Sequence, residues 1–177
     1  MESNKKIGID VGGRHVTVSV FENNSAEKQS QVVIRKEINS KENPLAIISD
    51  FGSCITEVLI GGTTVDAVGI AFPGPFNYEK GVSEIIGVGG KFEQTFGVHV
   101  QQALKNFTGL VDTPFVFAND AHCFAEGAYF RHHLKSKRTV FLTLGTGFGS
   151  AFMIDGDLVE KHSDVPENGV FYDKPFL

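Results

Sequence analysis

The sequence predicts an α/β protein with one large lobe and the beginning of a second lobe. Predicted strands and helices alternate along most of the 177 residues, and an apolar strand that runs into a glycine turn occurs twice, near residue 10 and near residue 145. Hydrophobic residues make up 41% of the chain and charged residues 21%, which supplies enough apolar material for a core and argues against a disordered protein.

Three strands are predicted first. Lys6–Asp10 is a short apolar run that ends at the turn Gly12–Gly13, and residues 16–20 alternate between valine and polar side chains, which is the period of a half-buried strand. These two strands form a predicted β-hairpin. Gln31–Glu37 is predicted to add the third strand of a meander.

A helix is predicted to start at Asn43-Pro44, with Asn43 as N-cap and Pro44 at the first helical position. Its predicted buried stripe consists of Leu45, Ile48, Phe51, Ile55 and Leu59, and Gly61-Gly62 ends it. The remaining predicted elements are a strand at Ala67–Phe72, a helix at 100–107 ended by Gly109, a strand at Phe115–Ala118, a helix at Ala121–His133, and strands at Thr139–Thr143 and Phe148–Ile154.

The pattern predicts two domains of unequal size, residues 1–137 as the first lobe and residues 138–177 as the start of the second. About 35 residues after Thr143 are too few to build a second lobe as large as the first. We therefore expect the second lobe to be truncated.

Charge and composition exclude several classes of protein. A net charge of −5 argues against a general electrostatic grip on nucleic acid. The amino terminus lacks the apolar core of a signal peptide, and no apolar run is long enough to span a membrane, so we expect a soluble, cytoplasmic protein with no membrane partner. Cys54 and Cys123 lie in apolar, helix-like stretches and are predicted to be buried free thiols.

The glycine turns suggest phosphate binding, although two common motifs do not fit. No P-loop string is present, and Ser150 takes the third glycine position of the Rossmann fingerprint that Gly145 and Gly147 begin. Paired β-hairpins whose backbone N–H groups face a phosphate remain, with Asp10 as a ligand of hydrated Mg²⁺. The alternative is that both are ordinary hairpins and that Asp10 is a turn residue.

Asn119-Asp120 lies where a predicted strand meets a predicted helix. Asp120 is therefore either a helix cap or a general base that accepts the proton of an attacking hydroxyl, with Asn119 orienting that hydroxyl. The glycine in Pro73-Gly74-Pro75 would let a polar ligand approach the backbone.

Four strings together resemble the ROK family of repressors, open reading frames and sugar kinases. They are IGIDVGGRHVTVSVF, the PGP after the strand at 68–72, FANDAHCFAEGAY and LTLGTGFGSAFMIDG, in the family's order and spacing over residues 7 to about 159. The resemblance implies the actin-like ATPase (RNase H-like) fold, with a mixed five-stranded sheet and flanking helices. It also implies a glucokinase-like transfer of phosphoryl from ATP to a hexose, with Mg²⁺, and similarity to the polyphosphate-glucokinase branch leaves polyphosphate open as the donor.

The resemblance also implies roles for individual residues. Asp120 matches the catalytic base, and the implied sugar-binding residues are Gly74, Asn119, Asp120 and Glu167. The implied nucleotide-binding residues are Asp10, Gly12, Gly13, Gly145, Thr146, Gly147 and Gly149, with Asp10 near the metal.

Two departures from the family pattern keep other functions open. Arg14 follows the first glycine pair, where the family usually has Thr or Ser, and Val170 stands where the family has a sugar-gripping His. The alternatives are a catalytically inactive sugar-sensing protein and a truncated fragment without function. A DNA-binding repressor is disfavoured because the first hairpin already begins at Ile7, and the oligomeric state is left open, with a homodimer as one alternative.

Overall fold

A computed structural model describes residues 5–22, 31–60, 62–87, 89–144, 148–166 and 169. The strands are β1 (Lys5–Val11), β2 (His15–Glu22), β3 (Gln31–Glu37), β4 (Ala67–Phe72), β5 (Phe76–Asn77), β6 (Val82–Ser83), β7 (Phe115–Asn119), β8 (Arg138–Leu144), β9 (Phe148–Ile154) and β10 (Asp157–Leu158). The α-helices are α1 (Pro44–Val58), α2 (Val100–Thr108) and α3 (Asp120–Arg131), and a short 3₁₀ helix covers Glu93–Thr95.

The main sheet has five strands in the order β3-β2-β1-β4-β7. Strand β1 pairs antiparallel with β2 and parallel with β4, and β2 pairs antiparallel with β3. The sheet is therefore mixed, and the meander of three strands is confirmed. The two-residue strands β5 and β6, the 3₁₀ helix and β10 were not predicted.

Helix α1 begins as predicted, with Asn43 as N-cap and Pro44 as the first helical residue. The Asn43 side-chain oxygen accepts a hydrogen bond of 3.0 Å from the Ala46 N–H. The predicted stripe is wrong at Leu45, which is 83% exposed. The buried face instead consists of Ile47, Ile48, Phe51, Gly52, Cys54, Ile55 and Val58, so the helix is rotated slightly from the predicted phase.

Aromatic side chains pack at the centre of the first core. The rings of Phe51, Phe72 and Phe92 are in mutual contact, with centroids 5.6 to 6.2 Å apart. Phe76 and Phe117 extend this cluster, stacked with their centroids 5.1 Å apart. Each such pair adds about 0.5–1.5 kcal/mol beyond simple burial. The core therefore joins α1, the main sheet and the loop that carries Phe92.

The chain divides into two compact units, Met1–Ala118 and Asn119–Leu177. The predicted boundary between residues 137 and 138 falls inside the second unit, so the compact units do not coincide with the predicted lobes, whose assignment stays a prediction. In the second unit α3 packs on the sheet β10-β9-β8 around a small core of Ala125, Ala151 and Met153. Among the described residues, no helix is both long enough and apolar enough to cross a membrane.

Candidate functional site

The turn between β1 and β2 is built around Gly12 and Gly13. The Gly12 N–H donates to the His15 carbonyl at 2.9 Å, which closes the turn. Neither glycine has a positive φ, so the backbone conformation does not require glycine here. The lack of room for a side chain does. A Cβ on Gly13 would lie 2.9 Å from Cδ of Lys91 and 3.4 Å from its Nζ. Gly13 therefore lets the Lys91 side chain lie directly against the turn.

Two hydrogen bonds hold the Lys91 segment at this turn. The Ser40 hydroxyl donates to the Gly13 carbonyl at 2.8 Å, and the Phe92 N–H donates to the Ser40 carbonyl at 2.7 Å. The Ile38 N–H also donates to the Arg14 carbonyl at 2.9 Å. Ser40 is only 4% exposed and Phe92 only 1%, so the backbone that presents Lys91 is fixed by the core.

Lys91 and Arg14 place two positive charges beside the turn. Burial lowers the pKa of the Lys91 ammonium, and the nearby Arg14 guanidinium lowers it further. Within the part of the chain that the structure describes, no carboxylate forms an ion pair with either side chain. Two cations that repel each other therefore lie near the turn.

A cavity of about 590 Å³ lies beside Arg14. Its lining consists of Arg14, His15, Arg35, Glu37 and Ile38. The Arg35 guanidinium lies 3.0 Å from Nε2 of His15, and because a guanidinium only donates, Nε2 must be the acceptor. Since Glu37 also lines it, the cavity carries charges of both signs.

Asp10 lies near the carboxyl end of β1 and is exposed. Asp10 is opposite Ala71 in the parallel pairing of β1 with β4. Gly74, just after β4, and the Gly12–Gly13 turn, just after β1, therefore lie at the same edge of the sheet. Carboxyl edges of parallel strands are where α/β folds bind ligands. Among the described residues, no group of three His, Cys, Asp or Glu side chains could hold a metal. A lone Asp10 suits Mg²⁺ that takes its remaining ligands from phosphate and water.

Asn119 and Asp120 start α3. Asn119, not Asp120, is the N-cap, and its side-chain oxygen accepts hydrogen bonds from the N–H groups of Ala121 at 3.0 Å and His122 at 3.3 Å. Asp120 is the first helical residue and is exposed, with one carboxylate oxygen 2.9 Å from the Ala121 N–H. The helix dipole favours the ionised carboxylate there. The N-cap is therefore Asn119 and not Asp120, whose carboxylate accepts a second hydrogen bond at the same helix start. The role of Asp120 as a base stays a prediction.

Gly149 lies in β9, opposite Thr143. A Cβ at this position would collide with the Thr143 hydroxyl and lie 2.9 Å from Cβ of Ala121. Close packing of α3 against β9 therefore accounts for this glycine without a phosphate. The other predicted site residues of this region, Gly145, Thr146, Gly147 and Glu167, lie outside the described residues.

Sequence reasoning missed Lys91. It is 78 residues from Gly13, a distance over which no local pattern reports contact. The one local signal is the glycine pair Gly89-Gly90 directly before it, which marks a sharp turn; both have positive φ.

Comparison with known proteins identifies the family. The model of the ROK family matches residues 6–169. The N-acetyl-D-glucosamine kinase of Aliivibrio fischeri is 27% identical over 162 residues, which cover 89% of this chain and 49% of that protein. The chain thus spans about half the length of the curated relatives it matches.

Solved structures share the fold. A ROK family glucokinase from Streptomyces griseus, in complex with glucose and AMPPNP, has a TM-score of 0.68 at 20% identity, covering 94% of this chain and 48% of that chain. The inorganic polyphosphate/ATP-glucomannokinase from Arthrobacter sp. strain KM has a TM-score of 0.68 at 22% identity, covering 94% and 66%. The likeness at these identities concerns the fold, and the predicted actin-like fold with its mixed five-stranded sheet is confirmed.

Proposed function

The chain belongs to the ROK family, and from this premise we propose that it transfers the terminal phosphoryl group of ATP to a hydroxyl of a hexose, with the 6-hydroxyl of glucose as the expected acceptor. The observation that carries the proposal is the exposed Asp120 carboxylate at the start of α3, beside the capping residue Asn119. A carboxylate at a helix start stays ionised at neutral pH and can take a proton.

The proposed reaction combines a proton transfer to Asp120 with the transfer of the terminal phosphoryl group to the sugar. The Asp120 carboxylate accepts the proton of the sugar hydroxyl while the hydroxyl oxygen forms a bond to the terminal phosphorus. The bond from that phosphorus to the bridging oxygen breaks, and ADP leaves with the electron pair. Mg²⁺ would be held by Asp10 and would neutralise charge on the donor phosphates.

The proposal also includes the glycine turn near residue 145 as a second phosphate-binding turn, and the amino acids predicted to bind the sugar. We assign sugar binding to Gly74, Asn119, Asp120 and Glu167. We assign donor binding to Asp10, Gly12, Gly13, Gly145, Thr146, Gly147 and Gly149. The kinase of Aliivibrio fischeri acts on N-acetyl-D-glucosamine, and the Arthrobacter kinase uses polyphosphate or ATP. The test therefore varies both the acceptor sugar and the phosphoryl donor.

The test is a phosphorylation assay on the purified chain, with glucose or N-acetylglucosamine as acceptor and with Mg²⁺-ATP or polyphosphate as donor. We expect a hexose phosphate, and we expect Asp120→Asn to lower kcat by about 10²- to 10⁴-fold with little change in sugar KM. Asp157→Asn, an exposed aspartate in β10, is the matched control. No product with any pair, or undiminished turnover in Asp120→Asn, would defeat the proposal.

A second candidate is a sugar-sensing module without catalysis, which Arg14 favours because it stands where the family usually has a small hydroxyl residue. Calorimetry separates the two functions. Binding of both glucose and Mg²⁺-ATP supports the kinase, and binding of glucose alone supports the sensor.

A further inference from the structure

Two cationic side chains lie near the Gly12–Gly13 turn. The Lys91 side chain lies against Gly13, and the Arg14 guanidinium is close enough to lower the pKa of the Lys91 ammonium, so two cations lie near this stretch of bare backbone. Two like charges held close together raise the free energy of the folded protein unless an anion lies between them. Among the described residues no carboxylate performs this role.

The backbone of the turn also points to an anion. The Gly12 N–H is used by the His15 carbonyl, whereas the N–H groups of Gly13 and Arg14 donate to none of the residues that the structure describes. Successive backbone N–H groups in a turn form a concavity suited to phosphate oxygens. Any side chain at residue 13 would push Lys91 away from this concavity.

The position of Lys91 is fixed by the fold and not by chance contact. Its neighbour Phe92 is buried in the aromatic cluster and donates through its N–H to Ser40, which in turn donates to Gly13. The turn and Lys91 are therefore tied together through one buried serine. The cavity that Arg14 and Arg35 line is less suited to an anion because Glu37 also lines it.

We propose that Arg14 and Lys91 together bind the terminal phosphate of the phosphoryl donor against the Gly12–Gly13 turn. This deepens the proposed kinase function, on which it rests. The planar Arg14 guanidinium offers paired N–H donors that match phosphate oxygens. Lys91 supplies a point charge over Gly13.

The proposal is tested by calorimetric titration of the full chain with sodium tripolyphosphate, with and without Mg²⁺. We expect Arg14→Ala and Lys91→Ala each to lower the affinity by about tenfold, the effect of losing one charge-assisted hydrogen bond. We expect Arg14→Lys to recover part of the loss. Lys80→Ala, which removes an exposed cation elsewhere in the same unit, should change the affinity less than twofold.

Gly13→Ala gives an independent test because it adds one methyl group where Lys91 now lies. We expect it to weaken tripolyphosphate binding while leaving both charges in place, and circular dichroism and thermal unfolding check that every variant is folded. Unchanged tripolyphosphate affinity in folded Arg14→Ala and Lys91→Ala would overturn the proposal, as would absence of binding to the unmodified chain.

The two proposals fail in different ways. Tripolyphosphate binding that depends on Arg14 and Lys91, without any hexose phosphorylation, would retain the phosphate site and remove the kinase function. Hexose phosphorylation that depends on Asp120 but has the same donor KM in Arg14→Ala and Lys91→Ala would retain the kinase function and remove the phosphate site.

Discussion

The side-chain oxygen of Asn119 lies 3.0 Å from the backbone nitrogen of Ala121 and accepts its hydrogen bond, which caps helix α3 one residue before the proposed base. We predict that Asn119→Ala lowers the free energy of unfolding by about 1 kcal/mol, because the His122 N–H loses its acceptor and the Ala121 N–H keeps only the Asp120 carboxylate. Asn119→Asp keeps an acceptor and should lose little stability. Urea unfolding followed by circular dichroism measures both variants, and equal stability of the alanine variant and the unmodified chain would contradict the capping role.

Gly52 in α1 lies under the ring of Phe107 in α2. A Cβ at this position would collide with the ring, so we expect Gly52→Ala to cost about 1–3 kcal/mol by overpacking the contact between the two helices. Gly127 in α3 is the matched control, since a Cβ there meets nothing within 4 Å. Gly127→Ala should stabilise the protein by about 0.5–1 kcal/mol, because alanine loses less backbone entropy in a helix. Thermal unfolding that moves in the same direction for both variants would refute this assignment.

Lys36 in β3 donates a hydrogen bond of 2.7 Å to the Asp50 carboxylate in α1. This bond raises the pKa of the Lys36 ammonium, although burial opposes the shift. A raised folded pKa means that the stabilisation is complete below the unfolded lysine pKa of about 10.4 and is lost as the pH rises through the folded value. Because both side chains are partly exposed, we expect Lys36→Met to cost less than about 1 kcal/mol at neutral pH. The measured difference should vanish in strongly alkaline solution and should shrink in high salt.

Cys54 in α1 is 1% exposed, as predicted, whereas the prediction of a buried thiol was wrong for Cys123 in α3, which is partly exposed. Burial raises the pKa of the Cys54 thiol, and the nearby Lys36 ammonium opposes this rise only in part. Thiolate is the reactive form, so Cys54 should resist a thiol reagent in the folded protein at neutral pH. Cys123→Ser leaves Cys54 as the single thiol, and this variant should react only after denaturant is added. Rapid labelling of the folded variant would show that Cys54 is accessible.

Local sequence patterns predicted most of the fold because they depend on neighbouring residues. Asn43-Pro44 specified the start of α1, and the alternating valines specified β2. The helical period placed Ile48, Phe51 and Ile55 correctly on the buried face of α1. It was wrong at Leu45, which is exposed in the first turn, and at Leu59, which is the partly buried C-cap. The short strands β5 and β6 were missed because two residues carry no period.

The candidate site was only partly predictable. Asp10, Gly12 and Gly13 could be singled out because a strand, an acid and two glycines are adjacent in the chain. The contact between Gly13 and Lys91 depends on the tertiary fold, through Ser40 and Phe92, and no local pattern contains it. Which of Asn119 and Asp120 caps the helix depended on where the first helical turn begins, a boundary that sequence patterns set only within a few residues.

Among the described strands of the main sheet, β1 precedes the others in sequence but lies inside the sheet, between β2 and β4. During synthesis, the edge of β1 that does not face β2 therefore stays unpaired until β4 has been made. The free edge of β4 then stays unpaired until β7 has been made. Partial sheets with an open edge invite pairing with other chains, so this nascent protein should need a chaperone, or rapid translation of the segment up to residue 119, to avoid aggregation.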